Sequence, residues 1–124
     1  MVLGFEERCI PKILAEMQIH TIRRDEPDRW GKGAVIHFST STRTKNYNKF
    51  KQGECVSTQH IIIQWVWKDG KNRMTVQVDG RLLNEKEMFE LAKNEGFDRM
   101  DDFEARFSDG DFYGKIIHWT DKKY

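Results

Sequence analysis

An α+β domain built on a small curved sheet or barrel is the fold class this sequence predicts. Three observations carry that reading. Short stretches rich in β-branched and aromatic residues recur along the chain. An Asp-Gly pair joins two of them, a strong hairpin signal. Two helical stretches follow one another before a last strand, which sets helices to one side of the sheet. The chain has 124 residues, the length of one domain (~100–150 residues) and enough for one core. No repeat, low-complexity tract or Pro/Gly/Ser linker divides it, so residues 1–124 read as a single domain.

The elements follow in order. "IPKILAEM" (10–17) reads as a short helix, with Pro11 in the first turn, where its missing N–H costs nothing. Ile10, Ile13, Leu14 and Met17 share one face at three-and-four spacing. "IHTIRR" (19–24) reads as a strand, "DEPDRWGKG" (25–33) as a turn cluster and "AVIHFST" (34–40) as the next strand. The polar, basic and aperiodic "STRTKNYNKFKQG" (41–53) reads as a long loop. "CVSTQHIIIQWVWK" (55–68) and "NRMTVQVDG" (72–80) form the hairpin. "NEKEMFELAKNEG" (84–96) reads as a helix with Asn84 as N-cap, Glu87 completing a capping box and Gly96 as the stop. Its apolar side is Met88, Phe89, Leu91 and Ala92. "DRMDDFEARFSDG" (98–110) reads as a second helix capped by Asp98, with Met100, Phe103 and Phe107 inward, and "FYGKIIHWT" (112–120) closes the chain as a strand.

Composition narrows the function. Charged residues are 33% and the net charge is +1, so bulk charge points to neither nucleic acid nor membrane. The distribution says more. Residues 21–51 hold eight bases against three acids, and residues 84–111 hold ten acids against four bases. No apolar run approaches the ~18–20 residues of a membrane span, and "MVLGFEERCIPK" lacks the pattern of a signal peptide. Cys9 and Cys55 have no companion at metal spacing and read as reduced thiols. A cytoplasmic protein with no membrane partner, no metal and no cofactor is the expectation. His20, His37, His60 and His118 each fall in a strand, away from other ligands in the sequence, and "DGDFYG" lacks the ligand alternation of a calcium loop. Trp65, Trp67 and Trp119 read as core or rim packing.

"FEERCIPKILAEMQIHTIRRD…RWGKGAVIHF" resembles the opening of the ASCH domain family, the activating-signal-cointegrator homology domains of the PUA-like superfamily. Members read as an aromatic start, a short helix "kIlxGxKxxTxR" and then "GdxlxxF". "LAKNEGFDRMDDFEARF" is similar to the family's "A-x-x-E-G-F" and following helix, and "GKIIHW" to its closing strand. The resemblance covers nearly the whole chain in order. It implies a mainly antiparallel PUA-like β-barrel with short helices packed at its ends. It also implies a cleft at the "TIR" strand and binding of RNA or a nucleotide-like ligand. One branch is an amidohydrolase acting on N4-acetylcytidine, using a Lys, a Thr three residues later and a Glu before the C-terminal helix. Those positions are Gln18, Thr21 and Glu95 here. A glutamine amide cannot take the proton that a threonine nucleophile must lose, so the resemblance implies catalysis by Thr21 and Glu95 only if something else supplies the base.

The binding reading rests on other residues. Arg23 shares a strand face with Thr21 and, with Arg24 beside it, can grip phosphate or a base edge. Arg43, Lys45, Lys49 and Lys51 interleave with Tyr47 in the basic stretch, which suits phosphates and stacked bases. Trp30, between Arg29 and Lys32, is a further candidate platform. A small accessory domain whose cleft takes a protein or peptide is the third expectation.

Overall fold

The computed structural model describes residues 1–41 and 44–124. It is an α+β domain of two sheets and three short helices, with the elements β1 (Val2–Phe5), a 3₁₀ turn (Glu7–Cys9), α1 (Ile10–Leu14), β2 (His20–Arg23), β3 (Val35–Thr40), β4 (Asn48–Glu54), β5 (Ser57–Lys68), β6 (Lys71–Val78), β7 (Arg81–Leu82), α2 (Glu85–Asn94), α3 (Met100–Arg106) and β8 (Phe112–His118). One sheet runs β1-β3-β4 and the other β2-β8-β5-β6-β7. Among the described residues every ladder is antiparallel except β1–β3, and no ladder joins the two sheets into a closed barrel.

Two apolar clusters hold these layers. The larger lies between the five-stranded sheet and α2 and α3, where Ile61, Ile63, Val76, Leu91, Phe103 and Ile116 are sealed from solvent. The smaller gathers Leu3, Ile13, Ile36 and Phe38 with Ile117 of β8. Alternate residues of one strand point to opposite faces, so Ile116 and Ile117 reach different clusters and β8 joins the two halves. Each such isoleucine contributes about 1.5–3 kcal/mol by burial.

Several elements depart from the pattern read along the sequence. The first strand, Val2–Phe5, pairs in parallel with β3 through Val2↔His37 to Phe5↔Thr40; four residues beside a polar helix start show too little periodicity to read. Helix α1 stops at Leu14 because Glu16 takes a left-handed φ of 60°. Only Ile13 of the expected face is buried within the helix, and Leu14 and Met17 are exposed. The stretch expected as a long loop contains β4, a lysine-rich strand at the sheet's edge, where polar residues are normal and charge blunts edge pairing. A register shift between Phe38 and Ser39 in the β3–β4 ladder turns Phe50 in toward the rings of Phe5 and Phe38.

Helix α2 carries the capping box of Asn84 and Glu87, each side chain bonded to the other's backbone N–H. Met88, Leu91 and Ala92 face inward, whereas Phe89, expected with them, is exposed under Lys93. Gly96 has φ 94°, which suits its place past the helix end. Asp98 does not cap α3: Arg99 occupies the N-cap, and the Asp98 carboxylate bonds Lys12 instead. No helix among the described residues is long and apolar enough to cross a membrane.

Candidate functional site

The site begins at an open sheet edge. β2 is the outermost strand of its sheet, with β8 on one side only. Its outward backbone donor, the N–H of Ile22, is taken by the Glu95 carboxylate at 2.7 Å. Glu95 is the C-cap residue of α2, brought to the strand by the Ile19 N–H, which donates to the Asn94 carbonyl at 3.0 Å. One residue on, Gly96 passes so close to the buried Gln18 that a Cβ there would lie 2.8 Å from the Gln18 amide oxygen.

A buried chain of hydrogen bonds fixes Glu95 from behind. Asn94 Nδ2 donates to the Tyr124 hydroxyl at 2.8 Å, and that hydroxyl lies 2.7 Å from His20 Nε2. The phenol therefore donates to Nε2, which leaves the proton on Nδ1 to bond Glu95 Oε1 at 2.7 Å. Burial pushes the Tyr124 phenol up, which keeps its proton available for this bond. Tyr124 is held at both ends, since its backbone N–H and carbonyl bond the Gln59 side chain. Beside it His118 donates from Nε2 to Gln59 Oε1 at 3.0 Å. Burial, above all, lowers the His118 pKa to about 3.

Thr21 and Arg23 project from the other face of β2. Arg23 Nε donates to the Thr21 hydroxyl oxygen at 3.0 Å, a terminal guanidinium N–H donates to the Gly4 carbonyl at 2.6 Å, and the guanidinium lies 5.0 Å from the Phe5 ring. Burial pushes the Arg23 pKa down. Lys12 closes the opposite wall by bonding the Gly96 carbonyl at 2.6 Å and Asp98 at 2.8 Å. That bond and charge hold the Asp98 carboxyl below its usual range.

Between these groups lies a cleft of about 340 Å³, within the size range of small-molecule sites. Gln18, Thr21, Arg23 and Glu95 all line it, so four residues singled out in the sequence meet in one place. The sequence reading missed Phe5, Phe97 and Phe107, the cations Arg8, Lys12 and Arg106, and Cys9, whose thiol is pushed up by burial. These come from three separate stretches, 5–12, 97 and 106–107, and no local pattern marks them. The floor is polar and nearly sealed, the walls aromatic and the rim cationic.

Other expected residues lie elsewhere. Arg24 stacks on Phe112, 4.8 Å from the ring, in an adjacent hollow that shares Arg23 and Arg106 with the cleft. Trp30 is not a platform: it is 9% exposed in the smaller cluster, with its carbonyl accepting from Lys115. Lys45 and Tyr47 occupy the β3–β4 connection and Lys49 and Lys51 the strand β4, and none of the four lines the cleft. Lys51 stands 5.3 Å from the Phe38 ring, and Arg43 lies outside the described residues. His20 and His118, remote in sequence, are ladder partners with ring centroids 5.3 Å apart. Among the described residues no group of three His, Cys, Asp or Glu is placed to hold a metal ion.

No family model, no curated protein and no solved structure matches the chain.

Proposed function

We propose that the protein is a nucleotide-binding module of the ASCH type, its two sheets forming a PUA-like barrel, and that the cleft at β2 takes one nucleotide of an RNA or a free nucleotide-like ligand. The observation that carries this is the convergence of Gln18, Thr21, Arg23 and Glu95 on one cleft walled by Phe5, Phe97 and Phe107. Phe97, the one of the three rings that is neither sealed in the core nor covered by Arg23, offers an aromatic face to a planar base. The fixed Glu95 carboxylate accepts from base N–H groups, and the Thr21 hydroxyl, whose oxygen already accepts from Arg23, has its own proton to donate. Arg8, Lys12, Arg23 and Arg106 supply the positive potential for a phosphate.

Binding is favoured over amidohydrolysis by what surrounds Thr21. Gln18 has no titratable lone pair, His20 is committed to Glu95 and Tyr124, and the Lys12 amine is committed to Gly96 and Asp98. The experiment is calorimetric titration with the common nucleoside monophosphates. At least one should bind, and Glu95→Gln should weaken it by about tenfold, the cost of trading a charged acceptor for a neutral one. Absence of binding by every monophosphate, or indifference to Glu95→Gln, would count against the cleft reading.

A further inference from the structure

The β5–β6 hairpin carries a tryptophan beyond the core. Ile61, Ile63, Trp65 and Trp67 alternate onto one face of β5. Ile61 and Ile63 are sealed in the larger cluster and Trp65 packs against it. The strand then runs past the core's edge, and Trp67 is 72% exposed, so it is not the packing residue its sequence context predicts. Asp69 and Gly70 both have positive φ, 54° and 73°, the conformation of a tight two-residue hairpin turn. The tip is therefore built rather than slack.

Its charges are arranged at a cost. Lys68 pairs directly with Lys71, and Arg73 stands opposite Val66 on the same face. Like charges opposed on a ladder repel, and none of Lys68, Lys71 and Arg73 has an ion pair among the described residues. Asp69 is the one acid in the sequence from 64 to 75. The hairpin also stands beside the cleft, because Trp65 Nε1 donates to the carbonyl of the cleft residue Phe107 at 2.7 Å. Trp67 lies two residues, about 7 Å, further out along the strand.

We propose that this hairpin tip is a second nucleic-acid contact, in which Trp67 stacks one base of a single strand and Lys68, Lys71 and Arg73 hold its phosphates. The indole is on one face of the hairpin and the cations on the other, and the tip of a two-stranded ribbon has open edges, so a single strand that wraps around the tip meets both. One indole and one valine offer too little apolar surface for stable membrane attachment, where even a full acyl chain binds only marginally. One ring is enough to stack one base. The carboxylates of an acidic peptide would satisfy the cations but would leave the exposed ring unused, whereas each nucleotide brings a phosphate and a base together.

The test is fluorescence anisotropy with a labelled oligouridylate of about twelve nucleotides, a length within the span of small single-strand binding sites. Trp67→Ala should weaken binding by about 5- to 150-fold without changing the salt slope, and Trp67→Phe should retain most of the affinity. Replacing Lys68, Lys71 and Arg73 together by Ala should flatten the slope of log affinity against log salt by about two. A thermal melt establishes that each variant is folded. Unchanged affinity in folded Trp67→Ala overturns the proposal. So does Trp67-dependent binding of anionic phospholipid vesicles or polyglutamate without Trp67-dependent RNA binding. The same variant titrated with mononucleotides separates the two sites: loss of oligonucleotide binding with intact mononucleotide binding supports the hairpin beside a working cleft. Trp67-dependent oligonucleotide binding without any mononucleotide binding supports the hairpin and removes the cleft reading.

Discussion

Arg23 and Lys115 face each other across the β2–β8 ladder, and the molecule treats their charges in opposite ways. The Lys115 ammonium is enclosed: it bonds the carboxylates of Asp25, at 3.0 Å, and Asp28, and the Trp30 carbonyl at 3.2 Å. Burial alone would lower its pKa, but the bonds to Asp28 and Asp25 outweigh burial and raise it. Burial would likewise raise Asp25, but the N–H groups of Arg29 and Trp30 and the Lys115 ammonium bring it below the usual carboxylate range. Arg23 has a carbonyl, a hydroxyl and an aromatic face, but no ion pair with a carboxylate among the described residues. A closed pair serves the fold, because it staples the 25–30 turn to β8. A cation without its counter-ion, held at the open edge of a sheet, is suited to an anion from outside.

The same substitution on each side of the ladder should break the molecule differently. Lys115→Met leaves the buried Asp25 carboxylate without its cation, and removing one partner of a buried pair costs about 3–5 kcal/mol. Urea melts should register that loss as a fall in midpoint, and a midpoint within error of the parent protein would show that the pair is not structural. Arg23→Met should cost stability only about 1 kcal/mol, the net value of an ordinary hydrogen bond, while weakening nucleotide affinity by about 10- to 100-fold. Calorimetry and melts on the same preparation would test this contrast. A large fall in stability with unchanged affinity would place Arg23 among the structural cations.

Acid sharpens the comparison through a smaller effect. The folded pKa of His118 is depressed to about 3, whereas the unfolded chain titrates near ~6.5. The unfolded state therefore binds the proton first, and stability falls as pH drops from about 6.5 toward 3. By pH 5 the loss relative to pH 8 should be about 2 kcal/mol. The Asp25–Lys115 pair should hold through that window, since Asp25 is depressed and its contribution goes only below about pH 4, near the unfolded aspartate value. Melts at pH 8 and 5 on the parent and on His118→Phe measure the difference. An equal fall in both would assign the loss to other groups.

Local chemistry was readable where it is self-contained. The Asn84–Glu87 capping box, the Asp-Gly hairpin turn and the inward stripe of Phe103 and Phe107 each depend on residues within a few positions of one another. Thr21, Arg23 and Glu95 were found through a resemblance to a family, and the cleft holds all three. Trp30 and Trp67 show the limit. Both stand in hydrophilic or strand-like surroundings in the sequence, yet Trp30 is packed inside and Trp67 is outside. The first is drawn in by Asp25, which binds the N–H groups of Arg29 and Trp30. The second is pushed out because β5 is longer than the core it crosses.

The sequence by itself determined the α+β class, the order of most elements and the capping of α2, because all of these follow from periodicity and short-range bonding. Tertiary structure alone decided that the strands divide between two sheets, that β4 is a strand, and that Lys12, Phe97 and Arg106 join Thr21 and Glu95 around one cleft. It also decided which cation is paired and which is not. The physical reason is the range of the interactions. The Lys115–Asp25 contact spans 90 residues, and the His20–Glu95 bond spans 75. Nothing in the neighbourhood of either residue records a partner that only the packed chain brings within 3 Å.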